Sequence, residues 1–216
     1  MIFVRPTRYG SGAELLGDEL DLRMLYDVLH QTATERVIAS QLLDYMLCLA
    51  YDVRKAKNGQ RETVKLGYDQ ELTYRSVKIT WPALLIQVGM YRWAAKFQPT
   101  TARQHSALYG LESQIETALA EYDPVIGPQV YEWFAWFDGF SNNYLIQYLY
   151  ELDRRYLELP NGKRRFKQLL PLLRSTSMIG KEYKAFAAEM EMAAQREGCS
   201  AHGLHIRYDD EVDFKW

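Results

Sequence analysis

Long apolar runs are scarce in this 216-residue sequence. The best of them, Leu42 to Tyr51, is interrupted by Asp44 and falls well short of the roughly 20 residues that a membrane span needs, so no membrane association is expected. The opening Met-Ile-Phe-Val-Arg-Pro holds no apolar stretch of signal-peptide length, which predicts a cytoplasmic protein. Cysteine is scarce too. Cys48 and Cys199 form no CxxC pair, so neither a disulfide framework nor a cysteine-rich zinc module is expected. Cys48 falls within an apolar helical pattern and reads as a small buried hydrophobe. No charge sign dominates. With 26 lysines and arginines against 28 acids the formal net charge is −2, and a protein that coats nucleic acid usually carries a strong positive excess. Nucleic acid is therefore not expected as a partner.

Catalytic signatures are also missing. No GxSxG occurs among these residues. Gly10-Ser11-Gly12 followed by Gly17 invites comparison with phosphate-binding loops, but Leu15 stands where GxGxxG needs its third glycine and no Gly-Lys-Ser/Thr follows. The stretch reads as a hairpin turn. The histidines His30, His105, His202 and His205 form no nucleophile–base pattern. Acid–base chemistry by Asp or Glu needs no motif, so catalytic residues stay unassigned from sequence.

What is present is enough apolar material for a substantial core: 48% hydrophobic residues, with 16 tyrosines and 5 tryptophans. Residues 2–8 and 13–16 read as two short strands around the Gly10-Ser11-Gly12 turn. Asp18 is placed to cap a helix carrying Leu22, Leu25, Tyr26 and Leu29. A longer helix carries Ile38, Leu42, Met46, Leu49 and Val53 and stops at Asn58-Gly59. The period then changes to two. Val64 and Leu66, then Val77, Ile79 and Trp81, alternate with polar residues around a turn from Gly67 to Glu71, predicting a second hairpin with Lys78 and Thr80 facing solvent.

From Pro82 onward the pattern is helical. Thr101 and Gln104 form a capping box, an aromatic helix is expected near 128–139, and another from about Ser141 to Leu157. Pro171 is expected to kink or end the element that starts at Lys163, and a last helix begins near Ser177 and ends at Gly198. The fold class is α+β: two short antiparallel hairpins in the N-terminal part, packed on a predominantly helical array. One domain over residues 1–198 is expected, followed by an irregular acidic tail over 199–216.

The segments Gly17-Asp18-Glu19-Leu20-Asp21-Leu22, Tyr51-Asp52-Val53-Arg54-Lys55-Ala56 and Trp81-Pro82-Ala83-Leu84-Leu85 resemble an uncharacterised bacterial protein family, a domain of unknown function. The resemblance implies a bacterial cytoplasmic protein. It implies no activity.

Three groups of residues qualify as candidate sites. The run Tyr131 to Phe137 is the most unusual: on a helix Trp133 shares a face with Trp136 and Phe137, while Phe134 lies round the side. Such a face suits core, an interface between copies of the chain, or an aromatic pocket. Cys199, His202 and His205, with Asp209 or Asp210, are competent metal ligands, but their spacing matches no standard zinc pattern, so no metal and no other cofactor is expected. Lys163, Arg164, Arg165, Lys167 and Arg174 form a basic run that could grip phosphates but reads rather as a solvated helix face, one that the acidic tail of Asp209, Asp210, Glu211 and Asp213 could neutralise. The function expected on these grounds is a non-enzymatic protein that self-associates, as a homo-oligomer, through the aromatic surface of Trp133, Trp136 and Phe137. The alternative is an enzyme or small-molecule binder with an aromatic-lined pocket beside Trp81, where the second hairpin meets the helices.

Overall fold

The computed structural model describes residues 2–34, 40–66, 72–135, 144–177, 180–200, 203–204 and 212–216. Strands β1 (Phe3–Pro6) and β2 (Gly12–Gly17) pair antiparallel, as do β3 (Thr63–Leu66) and β4 (Leu72–Thr80). The two hairpins do not stay separate. β2 also pairs antiparallel with β4, giving one sheet of order β1-β2-β4-β3. Val4, Leu15 and Val77 fall in one row and Ala13 and Ile79 in the next, all buried on the same face. The period of two therefore predicted the inward set of β4 correctly.

Thr80 departs from it. It lies on the opposite face but is 8% exposed, because a helix from far along the chain packs against that end of the strand.

The β1–β2 turn explains its glycines by space. A Cβ on Gly12 would stand 1.9 Å from the Ile79 carbonyl oxygen, so only glycine lets β2 approach β4 there. Gly12 N donates to Thr7 Oγ1 and Gly10 N to the Thr7 carbonyl, so both amides are used inside the turn. Nothing in that arrangement presents them to a phosphate.

Helix α1 (Glu19–Thr32) starts at the Asp18 cap, whose carboxylate accepts from Asp21 N at 2.7 Å. α2 (Ser40–Lys57) stops at Gly59, which takes a φ of 73° and donates to the Ala56 carbonyl. α3 (Trp81–Lys96) follows β4 without a break, and the Trp81 amide still bonds to the Ser11 carbonyl at 3.1 Å. α4 (Ala102–Tyr122) opens with both hydrogen bonds of the Thr101–Gln104 capping box. α5 (Ile126–Ala135) and α6 (Leu145–Glu158) follow; residues 136–143, over which the periodicity extends the two helices, lie outside the described residues.

α7 (Lys163–Lys167) and α8 (Leu169–Arg174) replace the single kinked element expected at Pro171. The break falls at Gln168, upstream of the proline. Pro171 has no N–H for the carbonyl four residues earlier, at Lys167, so the ladder fails there. α9 begins at Lys181 rather than near Ser177, and Gly198 ends it with a φ of 64°.

The main core draws on the sheet face and on α1 to α8, with Trp81, Leu84, Leu85, Tyr91, Ile115 and Phe134 fully enclosed. A smaller cluster of Tyr144, Tyr148, Leu152, Tyr183 and Phe186 holds α9 against α6. Cys48, expected to be buried, is exposed: it points away from the Met46, Leu49 and Val53 stripe of α2. Arg165, expected on the solvated basic face, is 2% exposed. Its guanidinium donates to the Leu157 and Leu159 carbonyls at the end of α6 and to Ser11 Oγ in the β1–β2 turn, so it ties a helix terminus to the sheet.

Candidate site at the seam of α2 and α6

Spacing of three places Tyr45 and Cys48 one turn apart on α2, and Tyr150 and Asp153 one turn apart on α6. Where these helices meet, the Tyr45 and Tyr150 rings stand edge to face, with centroids 5.7 Å apart. Thr80, the last residue of β4, completes the group from the sheet: its hydroxyl donates to Asp153 Oδ1 at 2.5 Å. The seam is graded from surface to interior. Cys48 and Tyr150 are exposed, Asp153 is half-buried, and Thr80 and Tyr45 form the buried floor. α3 fixes the backbone behind it, because Gln87 Nε2 donates to the Tyr45 carbonyl at 2.9 Å and Tyr91 Oη to the Met46 carbonyl at 3.0 Å.

The electrostatics separate one group from the rest. Burial pushes the Asp153 carboxyl up from 3.8 to about 6, and the Thr80 hydroxyl pulls it back only in part. No cation among the described residues contributes to that balance. Burial also raises the Tyr45 phenol, with the Asp153 charge adding to it, and raises the Tyr150 phenol. The Cys48 thiol moves up through burial and the nearby Asp52 and Asp44 carboxylates. A thiol raised in this way keeps its proton at neutral pH and is no activated nucleophile. The seam thus offers two phenols and a thiol as donors, and one carboxyl that exchanges its proton near neutrality.

Asp153 and Thr80 escaped the sequence reading, although a signal for Asp153 was there. It continues the row Leu145, Leu149, Asp153 at steps of four and precedes Tyr156 by three, so an acid lies along the apolar stripe of α6.

The residues singled out from sequence lie as follows. Trp81 is fully buried, edge to face with Phe166 at 6.1 Å, and its Nε1 has no hydrogen-bond partner among the described residues. On α5 it is Phe134 that enters the core, while Trp133 is half-buried and packs against the core's edge. Trp136 and Phe137 lie outside the described residues, as do His202, His205, Asp209 and Asp210; Cys199 is half-buried. Among the described residues no three His, Cys, Asp or Glu side chains gather as metal ligands would.

A second polar contact, between Arg92 and Glu112 at 3.4 Å, is largely enclosed. Arg92 also bonds to the Phe134 carbonyl and lies over the Phe134 ring at 4.6 Å, so this pair joins α3, α4 and α5. Burial holds the Glu112 carboxyl above its ordinary range in spite of Arg92.

No helix among the described residues is long and apolar enough to cross a membrane. No curated protein and no solved structure matches the chain. One family model does, over residues 2–216, and the chain accordingly belongs to the family described as a domain of unknown function, DUF6904.

Proposed function

We propose that the seam of α2 and α6 binds a small organic ligand carrying a basic nitrogen, and that Asp153 exchanges a proton with it. The observation behind this reading is a half-buried carboxyl beside the Tyr45 and Tyr150 pair that, among the described residues, bonds to the Thr80 hydroxyl and has no cation beside it. A basic ligand would supply the missing positive charge, and the tyrosine rings suit a cationic or flat guest. A thermal-shift screen of amines and heteroaromatic bases checks it. A ligand at about 100 times its Kd should stabilise the native state by about 2.7 kcal/mol, and Asp153→Asn should abolish that gain. Hits that bind the variant equally well place the ligand elsewhere.

The same residue has a stability signature. Its folded pKa lies above the ordinary 3.8, so the native state holds the proton more tightly than the unfolded chain does. The protonated form therefore contributes stability at low pH, and that contribution is lost as pH rises from about 4 to about 6. At neutral pH the buried carboxylate costs on the order of 2–3 kcal/mol. Asp153→Asn keeps an oxygen for the Thr80 hydroxyl and removes the charge. Urea melts should show the variant more stable than the parent near neutral pH, with less of its stability lost as pH rises through that window. A variant less stable at neutral pH would contradict the assignment.

Self-association through the aromatic helix is a second reading, favoured by the partial exposure of Trp133. Light scattering at high protein concentration tests it, and a clean monomer rules it out. A cytoplasmic setting suits both readings, since Cys48 and Cys199 are free thiols and Cys48 is exposed.

A further inference from the structure

Arg5, Arg23, Arg61, Arg75, Lys78 and Arg155 each meet a carboxylate. Of the exposed cations that make no ion pair with a described residue, a group that also includes Arg54, Lys55, Arg103 and Lys184 elsewhere, Arg8, Lys163, Arg164, Lys167 and Lys215 collect around the β1–β2 turn from three distant parts of the chain. Arg8 and Lys215 both approach the half-buried ring of Tyr9, at 5.4 and 6.0 Å from its centroid. Gly162 N bonds to the Tyr9 carbonyl at 2.7 Å, which sets the start of α7, with Lys163, Arg164 and Lys167, beside the same turn. The Ser11 hydroxyl donates to the Lys215 carbonyl and fixes the third segment.

Acids are few here. No Asp or Glu stands between Glu158 and Glu182 in the sequence. Asp123 faces Lys163 and Lys167, but its carboxylate already accepts from the Val125 and Ile126 amides at the start of α5. Asp213 is exposed two residues before Lys215.

We infer that this surface binds the phosphodiester backbone of single-stranded nucleic acid, with Tyr9 as a face on which a base stacks. Cations spread over separate segments match a chain of phosphates better than one phosphate, and an aromatic ring among them is the usual platform for unpaired bases. A lipid surface fits less well, since among the described residues no cluster of large exposed apolar residues accompanies Arg8, Lys163, Arg164, Lys167 and Lys215. The formal net charge of −2 argues against nonspecific coating, not against a local contact, because charges beyond about 10 Å are screened at ordinary salt.

Fluorescence anisotropy with a labelled oligouridylate tests the inference on the full chain. Binding is expected at low salt. Lys163→Gln with Lys167→Gln should weaken it roughly tenfold and flatten the log–log salt slope by about 1.4, the share of two phosphate contacts. Arg23→Gln with Lys55→Gln removes equal charge from α1 and α2 and should leave the affinity unchanged. The inference is overturned by absence of binding at low salt, by equal losses in the two double variants, or by binding to phosphatidylserine vesicles with oligouridylate left free. Glutamine removes the charge and keeps a polar, hydrogen-bonding side chain, and matching thermal melts confirm that every variant folds.

Discussion

Replacing Ile79 by aspartate is expected to cost at least about 4 kcal/mol of folding free energy, against less than about 1 kcal/mol for Lys78→Gln next to it. Ile79 is 7% exposed, stands opposite Ala13 on the core face, and lies on β4, the strand that joins the two hairpins. Aspartate there loses the apolar transfer energy of isoleucine and puts a carboxylate among Val77, Leu15 and Ala13, none of which can bond to it. Lys78 points to the other face, where its ammonium meets Glu62 at 2.7 Å in a partly solvated pair. Urea denaturation of both variants measures the contrast. Losses of similar size at the two positions would mean that the register of β4 is wrong by one residue, since a slip by one exchanges the faces.

Arg165→Ala should lose about 3–5 kcal/mol, with Arg165→Lys recovering only part of it. The guanidinium is the donor that closes the end of α6: its Nη2 reaches the Leu157 carbonyl at 2.6 Å and the Leu159 carbonyl at 2.8 Å, and its Nε reaches Leu159 at 3.1 Å. Alanine leaves these buried carbonyls and Ser11 without a donor. Lysine keeps the charge near the negative end of the helix but cannot reach three acceptors in the plane of a fork. Equilibrium melts in urea again give the answer, and a loss below about 1 kcal/mol for Arg165→Ala would show that the end of α6 does not depend on this residue.

Local features were legible in the sequence because their physics is local. The Asp18 cap, the Thr101–Gln104 box, the stop at Gly59 and the alternation of Val77 and Ile79 each depend on residues within a few positions, and the structure shows all of them. Features made by distant segments were not. The pairing of β2 with β4 depends on which edges remain free after each hairpin closes, and a period of two does not encode that choice. Arg165 looks like its neighbours Arg164 and Lys167 in any count of charge; it turns inward because the end of α6 needs donors at that place. The contact of Thr80 with Asp153 spans 73 positions, and no motif links a threonine ending a strand to an acid within a helix stripe. The aromatic run drew attention by its composition, yet its enclosed member, Phe134, serves the core.

The candidate site thus rests on the environment of one carboxyl group, and that can be measured directly. A pH titration of the Asp153 side-chain carboxyl carbon by NMR should give a midpoint of about 6 in the free protein, moving down when a basic ligand occupies the seam. A midpoint at the ordinary 3.8 would show a solvated carboxylate, and the seam of α2 and α6 would then have no group that exchanges a proton near neutrality.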